Sequence, residues 1–154
     1  MDVETDERVN VEPKTMVTDF KELRIYQRAS GAAMEIFELS GQWPSEEKYA
    51  LTDQIRRSSR SVCSNIGEAW FKRQYPKHFA SKLSDASSEA AETIVWLDFA
   101  RKCGYLDAQD AHALEQEFRG AIGGLTKMIA QKDKWCGPSS QVREEYLRYD
   151  SGRS

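Results

Sequence analysis

Five basic side chains near the middle of the chain carry the clearest chemistry in this sequence, which is the binding of negative charge. They are Arg56, Arg57, Arg60, Lys72 and Arg73. Guanidinium and ammonium groups pair with phosphates and carboxylates, so this set predicts a surface for RNA, for DNA or for an acidic protein partner. Between Gln54 and Lys82 the chain holds seven basic residues and one acidic residue, whereas its overall net charge is −3. The positive charge is therefore local, on an otherwise acidic protein.

Two other interpretations of these basic residues stay open. Their spacing is also that of an ordinary solvated helix face, and the same arginines would serve equally well to pair with carboxylates of a neighbouring subunit. Large rings beside them, such as Trp70 and Phe71, suit the stacking of bases or a subunit contact, and we favour the contact. The residues expected to have structural or interface roles are Asn65, Glu68, Trp70 and Phe71.

The sequence offers no recognisable catalytic or metal-binding set. Neither His78 nor His112 has a glutamate three positions earlier, so the Glu-x-x-His pairs of di-iron bundles are missing. Two histidines leave a serine or cysteine nucleophile little choice of general base, and there is no GxxxxGK phosphate loop. Glu89 and Glu92 suit ion pairs on a helix surface better than acid/base chemistry. We expect a protein that is not an enzyme and that uses no cofactor or metal.

Composition indicates a single-domain cytoplasmic protein. The chain has 154 residues, 40% of them hydrophobic, which suits one domain with a core. It has no run of about 18 apolar residues for a membrane span, and its charged N-terminus lacks the apolar centre of a signal peptide. Cys63, Cys103 and Cys136 are too few and too scattered for a disulfide framework. We expect Cys63 and Cys103 to be small packing residues within helices.

Start and stop signals predict four long helices, the second of which carries the arginines. The signals are hydroxyl or carboxylate caps, a proline in a first turn and a glycine at a C-terminus. The predicted bounds are Phe20 to Leu39 behind Thr18 or Asp19, Ser45 to about Arg73, Pro76 to Gly104, and Asp107 toward Lys132. Four such helices with short loops bury their apolar stripes most simply as an antiparallel up-down-up-down bundle. We expect a bundle of residues 18–134 between flexible tails, residues 1–17 and 135–154.

The second helix has two unlike faces. At about 100° per residue, Arg56, Arg57 and Arg60 fall opposite an apolar arc that also contains Ser58 and Asn65. A buried asparagine is costly unless its amide is hydrogen-bonded. We therefore expect Asn65 to bond across the bundle and to fix the register of the helices, as core asparagines do in coiled coils.

Two other helices contain residues that make specific demands on packing. The apolar stripe of the first helix is expected to include Phe37, and the fourth helix contains Gly120, Gly123 and Gly124. Glycine inside a helix costs about 0.5 to 1 kcal/mol relative to alanine. These three glycines therefore predict a close approach by a neighbouring helix or a tolerated bend.

Several short motifs occur together in an order that identifies a family. They are FKELRIYQRA at 20–29, Pro-x-x-Glu from Pro44, Gln-x-Arg-Arg from Gln54, Ser-x-x-x-Asn-Ile-x-Glu from Ser61, and Gly104 with Tyr105. With them, most of residues 19–130 resembles the bacterial four-helix bundle proteins first named for intervening sequences in large-subunit ribosomal RNA. Val62 stands where isoleucine is common, and Ala69 stands where glycine is frequent.

This resemblance has implications for assembly and partners as well as for the fold. It implies a four-helix bundle that forms a homopentamer. It also implies a nucleic-acid or reverse-transcriptase partner, as for the similar accessory proteins of diversity-generating retroelements. Most members of the family have no assigned activity, so the resemblance implies an architecture more sharply than a function.

Overall fold

Helices make up all the regular structure of residues 17–137, the part of the chain that the structure, a computed structural model, describes. Five are α-helices, and short 3₁₀ and π-helical turns lead into the first two. The α-helices are α1 Arg24–Ser40, α2 Asp53–Trp70, α3 Pro76–Lys102, α4 Ala108–Ala130 and α5 Lys132–Cys136. The prediction of an all-α protein is confirmed.

The four long helices form an antiparallel bundle. Helix α2 packs between α1 and α3, and α4 closes the bundle by packing against both α3 and α1. Arg56 near the start of α2 bonds to Ser40 at the end of α1, and Glu68 near the end of α2 pairs with Lys82 near the start of α3. Helices that meet end to start run in opposite directions, so the predicted up-down-up-down arrangement is confirmed.

The core is filled by large apolar side chains from all four long helices. Fully buried are Ile36, Ile55, Ile66, Phe79, Leu83, Leu97, Leu114, Phe118 and Leu125. Burial of one such side chain is worth about 1.5 to 3 kcal/mol relative to leaving it in water. Between them, α3 contributes Ala86, Ala90 and Ala100, whose small side chains let the neighbouring helices come close.

Three predicted boundary signals act as expected. Pro76 is the first residue of α3, where a missing backbone N–H costs nothing. Gly104 follows the end of α3 with φ of 79°, a left-handed conformation that favours glycine. The side chain of Asp107 accepts a hydrogen bond of 2.7 Å from the backbone N–H of Asp110 in the first turn of α4.

The first helix begins later than predicted. Phe20–Glu22 is a separate 3₁₀ turn, and α1 starts at Arg24. Between them Leu23 is extended, with ψ of 129°, and its side chain is buried. Thr18 does not cap α1, because its N–H and hydroxyl donate to the Glu22 carboxylate at 2.9 and 3.0 Å. The break between the 3₁₀ turn and α1 therefore coincides with the burial of Leu23 in the core.

The second predicted helix is divided in the structure. Ser45–Glu47 is a 3₁₀ turn in which the Ser45 side chain makes no capping bond, and Lys48–Thr52 is a π-helical turn that leads into α2. Helix α2 ends at Trp70, and the following residues turn toward α3. The expectation that Ser45 is an N-cap is wrong.

Phe37 is not a core residue, contrary to the prediction. Phe37 is 41% exposed, whereas Ala29, Ala32, Ala33 and Ile36 of α1 are buried. Phe37 lies at the edge of the buried stripe, on the side toward α2. There the guanidinium groups of Arg56 and Arg60 lie 4.7 and 5.5 Å from the centre of its ring. The ring thus packs against cations rather than against the core.

The glycines of α4 mark where α1 approaches. A Cβ atom on Gly124 would meet Cγ2 of Ile25, and one on Gly120 would meet the guanidinium of Arg28. A Cβ atom on Gly123 would meet nothing within 4 Å. The predicted close approach is therefore present at Gly120 and Gly124, which are one turn apart, and absent at Gly123.

A buried polar contact between helices exists, but it does not involve Asn65. The Ser58 and Thr93 hydroxyl oxygens lie 2.8 Å apart between α2 and α3. Asn65 is only partly buried, and its Nδ2 donates to the carbonyl oxygen of Ser61 within α2 at 2.9 Å. The expectation that Asn65 bonds across the bundle is wrong, because at the edge of the buried arc its amide reaches its own helix first.

Most of the two predicted tails lies outside the described residues. Residues 1–16 and 138–154 are not described. Helical structure continues past the predicted boundary at residue 134, since Trp135 and Cys136 belong to α5. Cys136 is buried, and the ring of Trp135 packs edge-on against Trp70 with centroids 6.3 Å apart. The described helical unit therefore ends at Cys136.

Candidate nucleic-acid interface

The Arg56 side chain is hydrogen-bonded to the end of α1. Its Nε donates to Oγ of Ser40 at 2.8 Å, and its Nη2 donates to the carbonyl oxygen of Phe37 at 3.1 Å. Both acceptors belong to the last turn of α1, where unpaired carbonyl groups and the helix dipole favour a positive charge. Arg56 is partly buried and joins two helices, so it differs from the other two arginines of the predicted set.

Arg57 and Arg60 are exposed on the outer surface of α2. Nη2 of Arg57 donates to Oε1 of Gln54 at 3.1 Å, and its charge acts on Glu89 of α3. Arg60 points the other way, toward α1, where it lies over Phe37 and also lines a groove. The predicted arginine face therefore extends across α2 from the α3 side to the α1 side.

The two basic residues after α2 differ in the same way. Lys72 is exposed and lines the groove that Arg60 lines. Arg73 is partly buried, its Nε donates to the carbonyl oxygen of Trp70 at 2.9 Å, and its guanidinium lies 3.6 Å from the centre of a Trp70 ring. We call Arg57, Arg60 and Lys72 the basic surface, since these three of the five predicted cations are exposed.

The groove between α1 and α2 has an aromatic lining, and we call it the aromatic groove. Its volume is about 610 Å³. The residues that line it are Phe20, Tyr26, Arg60, Cys63, Ser64, Gly67, Glu68, Phe71 and Lys72. The ring of Phe20 meets Tyr26 and Phe71 edge-on, with centroids 5.1 and 6.1 Å apart. The Phe20 ring lies directly beside Gly67 of α2, where even a Cβ atom would be at an ordinary contact distance of 3.6 Å.

Positive charge dominates this groove. Glu68 is the one acidic residue among those that line it, and its Oε2 lies 2.9 Å from Nζ of Lys82 on α3. The groove lining therefore holds two cations, Arg60 and Lys72, and one carboxylate that already pairs with a lysine outside the groove. Burial raises the pKa of the Cys63 thiol to about 11, which keeps it protonated and unreactive near neutral pH.

The four residues predicted to be structural or interface residues fall in different environments. Trp70 is 5% exposed and packs in the core, whereas its neighbour Phe71 is 68% exposed in the aromatic groove. Glu68 joins α2 to α3 through Lys82, and Asn65 bonds only within α2. Of these four, Phe71 alone presents a large apolar surface to solvent within the described part of the chain.

The cysteines differ from the prediction in one respect. Cys63 is partly buried in a helix, but Cys103 is exposed at the end of α3 and is not a packing residue. Cys136 is the buried one. The prediction failed for Cys103 because it lies just past the last buried turn of α3, where the chain turns at Gly104.

Glu89 of α3 lies close enough to α2 for Arg57 and Ser61 to act on its carboxyl group. Burial raises the pKa of Glu89 above its ordinary value, Glu92 raises it further through repulsion and a hydrogen bond, and Arg57 and Ser61 oppose these effects. Within residues 17–137, no group of three or more His, Cys, Asp and Glu side chains has an arrangement that could hold a metal ion.

Sequence reasoning missed three residues of the α1 side of this site. Phe20 and Tyr26 fall within the predicted first helix, yet both line the aromatic groove. Nζ of Lys21 lies 6.0 Å from the centre of the Phe20 ring and adds a cation beside it. The alternation of aromatic and basic residues in FKELRIY was a signal for this site, but it became meaningful only once α2 was placed beside it.

None of the helices in the described range is both long and apolar enough to cross a membrane.

Comparison with known proteins gives a family and a related fold. Residues 21–127 match a family described as 23S rRNA-intervening sequence protein. A crystal structure of a protein of unknown function from the S23 ribosomal protein family of Bacteroides thetaiotaomicron is similar, with a TM-score of 0.62 and 26% sequence identity. The match covers 68% of this chain and 97% of that one. No curated protein matches the chain.

Proposed function

The chain belongs to the 23S rRNA-intervening sequence protein family, and on that premise we propose that it is a non-enzymatic, self-assembling cytoplasmic bundle that binds nucleic acid through the basic surface. The observation that carries the proposal is the exposure of Arg57, Arg60 and Lys72 on one side of an otherwise acidic protein. Binding of this kind is largely independent of base sequence, because cations contact phosphates rather than base edges. The family's description names 23S rRNA, which makes RNA the first nucleic acid to test.

We leave two of the five predicted cations out of the proposed binding surface. Arg56 and Arg73 are held by Ser40 and Trp70, so replacing them would change the fold as well as the charge. Arg57, Arg60 and Lys72 make no hydrogen bond to the backbone of another helix in the described range. Their replacement by glutamine removes the charge and keeps an unbranched polar side chain, which makes these three residues the test set.

Salt dependence of RNA binding tests the proposal. The logarithm of the affinity falls with the logarithm of salt concentration, with a slope of about −0.7 to −0.9 for each phosphate contacted. Arg57→Gln, Arg60→Gln and Lys72→Gln together should therefore flatten the slope by up to about 2 to 3. The matched control is Arg101→Gln, Arg119→Gln and Lys102→Gln, which removes the same charge from residues that pair with acids elsewhere.

The two triple variants separate a local surface from a general effect of charge. The proposal expects the control variant to keep most of the slope. Equal losses in both variants would mean that only net charge matters, and no RNA or DNA binding at low salt would refute nucleic-acid binding. A third outcome is that the protein binds neither RNA nor DNA but binds an acidic protein, and loses that binding in the first triple variant. The basic surface would then be a binding site for an acidic protein.

A second candidate function is a structural or adaptor homo-oligomer in which the basic surface pairs with carboxylates of a neighbouring subunit. It is favoured by the outer face of α3, where Val95 and Phe99 are 49% and 50% exposed at helical spacing from Asp85 and Glu92. An acidic and apolar face complements a basic and aromatic one, and contacts between unlike faces form a ring when the rotation between subunits closes. A pentamer is what the family resemblance implies.

Light scattering distinguishes the two candidates. In the nucleic-acid hypothesis, the triple variant at Arg57, Arg60 and Lys72 keeps the mass of the wild-type assembly and loses binding. In the adaptor hypothesis, the same variant dissociates. A variant with Phe99→Ser on α3 should dissociate in the adaptor hypothesis as well, while its basic surface is intact.

A further inference from the structure

We propose that the aromatic groove makes the protein selective for single-stranded nucleic acid, by stacking an unpaired base on Phe71 while Arg60 and Lys72 hold the adjoining phosphates. This inference rests on the proposed nucleic-acid binding and deepens it by naming the class of ligand. Phosphate contacts alone do not distinguish a single strand from a duplex, so selectivity needs a second kind of contact.

Phe71 has the exposure that such a contact requires. Its side chain is 68% exposed, although the preceding residue, Trp70, is 5% exposed and supplies the packing at this end of α2. The bundle core therefore does not need the Phe71 ring. The Phe71 ring contacts the Phe20 ring in an edge-to-face arrangement, with an interplanar angle of 66°. Because most of Phe71 is exposed, a ring face is open to a ligand.

Charge around the ring suits a phosphate chain. Arg60 and Lys72 both line the groove with Phe71, and Lys21 lies beside Phe20. The carboxylate of Glu68, the one acid in the groove lining, is neutralised by Lys82. A nucleotide placed with its base on Phe71 shares the groove with two cations, and the one carboxylate of the groove lining already pairs with Lys82.

Shape favours an unpaired base over a duplex. The groove is open to solvent and has a volume of about 610 Å³, which leaves room for a planar base beside Phe71. In a duplex the ring faces of the bases are covered by their neighbours, so only phosphates and base edges reach the protein. Along its length a duplex can therefore contact Arg57 and Arg60, but it offers no ring face to Phe71 there.

The test measures binding of the full chain to a labelled oligo(U) and to a blunt RNA duplex of equal length, by fluorescence anisotropy. We expect Phe71→Ala to weaken oligo(U) binding roughly tenfold, the order expected for losing one stacked base, and to leave duplex binding unchanged. Phe71→Trp should retain oligo(U) binding. The matched control is Tyr49→Ala, which removes another exposed ring that lies beside a lysine, at the far end of the bundle.

Failure of this inference is distinguishable from failure of the proposed function. If the wild type binds both RNAs and Phe71→Ala weakens both equally or neither, base stacking is refuted while binding by the basic surface stands. If the wild type binds neither these two RNAs nor their DNA counterparts at low salt, both proposals fall. If Phe71→Ala changes the mass of the assembly in light scattering, Phe71 belongs to a subunit contact and the inference is overturned.

Discussion

The hydroxyl oxygen of Ser58 on α2 lies 2.8 Å from the hydroxyl oxygen of Thr93 on α3, and both side chains are fully buried. Each hydroxyl also lies within hydrogen-bond distance of a carbonyl of its own helix, on Ile55 and Glu89 respectively. One proton therefore serves the contact between helices and the other serves a backbone carbonyl. This polar pair is satisfied inside an apolar core, and it ties the register of α2 to that of α3.

Removal of one hydroxyl should lower the free energy of unfolding, because its buried partner loses a hydrogen bond. We expect Ser58→Ala to lower the free energy of unfolding by about 1 to 2 kcal/mol, because Thr93 loses its partner on α2. Ser64→Ala is the control, since the exposed Ser64 hydroxyl bonds only to the Ser61 carbonyl of its own helix. That variant should lie within about 0.5 kcal/mol of wild type in urea unfolding.

The double variant Ser58→Ala with Thr93→Val isolates the contact itself. Its cost should fall short of the sum of the single costs by about 0.5 to 1.5 kcal/mol, since the second change removes a group that the first had already left unpaired. Strict additivity, or equal costs for Ser58→Ala and Ser64→Ala, would mean that the contact between the helices contributes nothing.

The fold was predictable because its signals are local in the sequence. Pro76, Gly104 and Asp107 act at their own positions through a missing N–H, a left-handed backbone and a capping carboxylate. Register was less predictable. Ser58 and Asn65 lie in one arc of α2, and only the position of Thr93 on α3 determines which of them bonds across the bundle.

The site was only partly predictable, for a related reason. The sequence identified the basic residues, but whether a cation is exposed depends on residues of other helices. Arg56 is hydrogen-bonded to the end of α1 and Arg60 is exposed, although both fall opposite the apolar arc of α2. The aromatic groove likewise needs the turn at Phe20 to lie beside Phe71, which no spacing within α2 reveals.

Two neighbouring glycines of α4 should respond oppositely to the same substitution. Gly124→Ala forces a Cβ atom onto Ile25 of α1, and we expect a loss of about 1 to 3 kcal/mol from overpacking. Gly123→Ala meets nothing within 4 Å and should gain up to about 1 kcal/mol from helix propensity. Chemical unfolding of both variants measures the difference. Equal effects of the two would contradict the close approach of α1 and α4.

Arg56 and Arg57 are adjacent in sequence and should separate stability from binding. Arg56→Ala removes two hydrogen bonds to the end of α1 and a contact with Phe37, so we expect it to destabilise the fold by about 1 to 2 kcal/mol. Arg57→Ala should change stability by less than about 0.5 kcal/mol and flatten the salt dependence of RNA binding by about 0.7 to 0.9.

Measurement of both quantities on both variants makes this comparison decisive. Thermal unfolding reports the structural role, and the salt slope at a temperature where both variants are folded reports phosphate contact. If the Arg56→Ala protein is as stable as wild type and its salt slope is flattened, Arg56 contacts phosphate and does not stabilise the fold.

Glu89 should make the stability of the bundle depend on pH in a defined direction. Burial raises the pKa of Glu89 above its ordinary value of 4.5, and Glu92 adds to this effect while Arg57 opposes it. A carboxyl group whose pKa is higher in the folded state gives up a proton more readily when the chain unfolds. Its ionisation therefore disfavours folding, with no penalty below the ordinary pKa and the full penalty once the pH exceeds the folded-state pKa.

Glu89→Gln removes this titration while it keeps the size of the side chain. We expect the melting temperature of the variant, relative to wild type, to be higher at about pH 7 than at about pH 4, because only the wild type carries an ionised carboxylate there at the higher pH. Thermal unfolding of both proteins across this range checks the direction. A difference that is constant with pH would show that Glu89 titrates alike in the folded and unfolded chains. A difference that falls with rising pH would mean that the attraction of Arg57 outweighs both burial and Glu92.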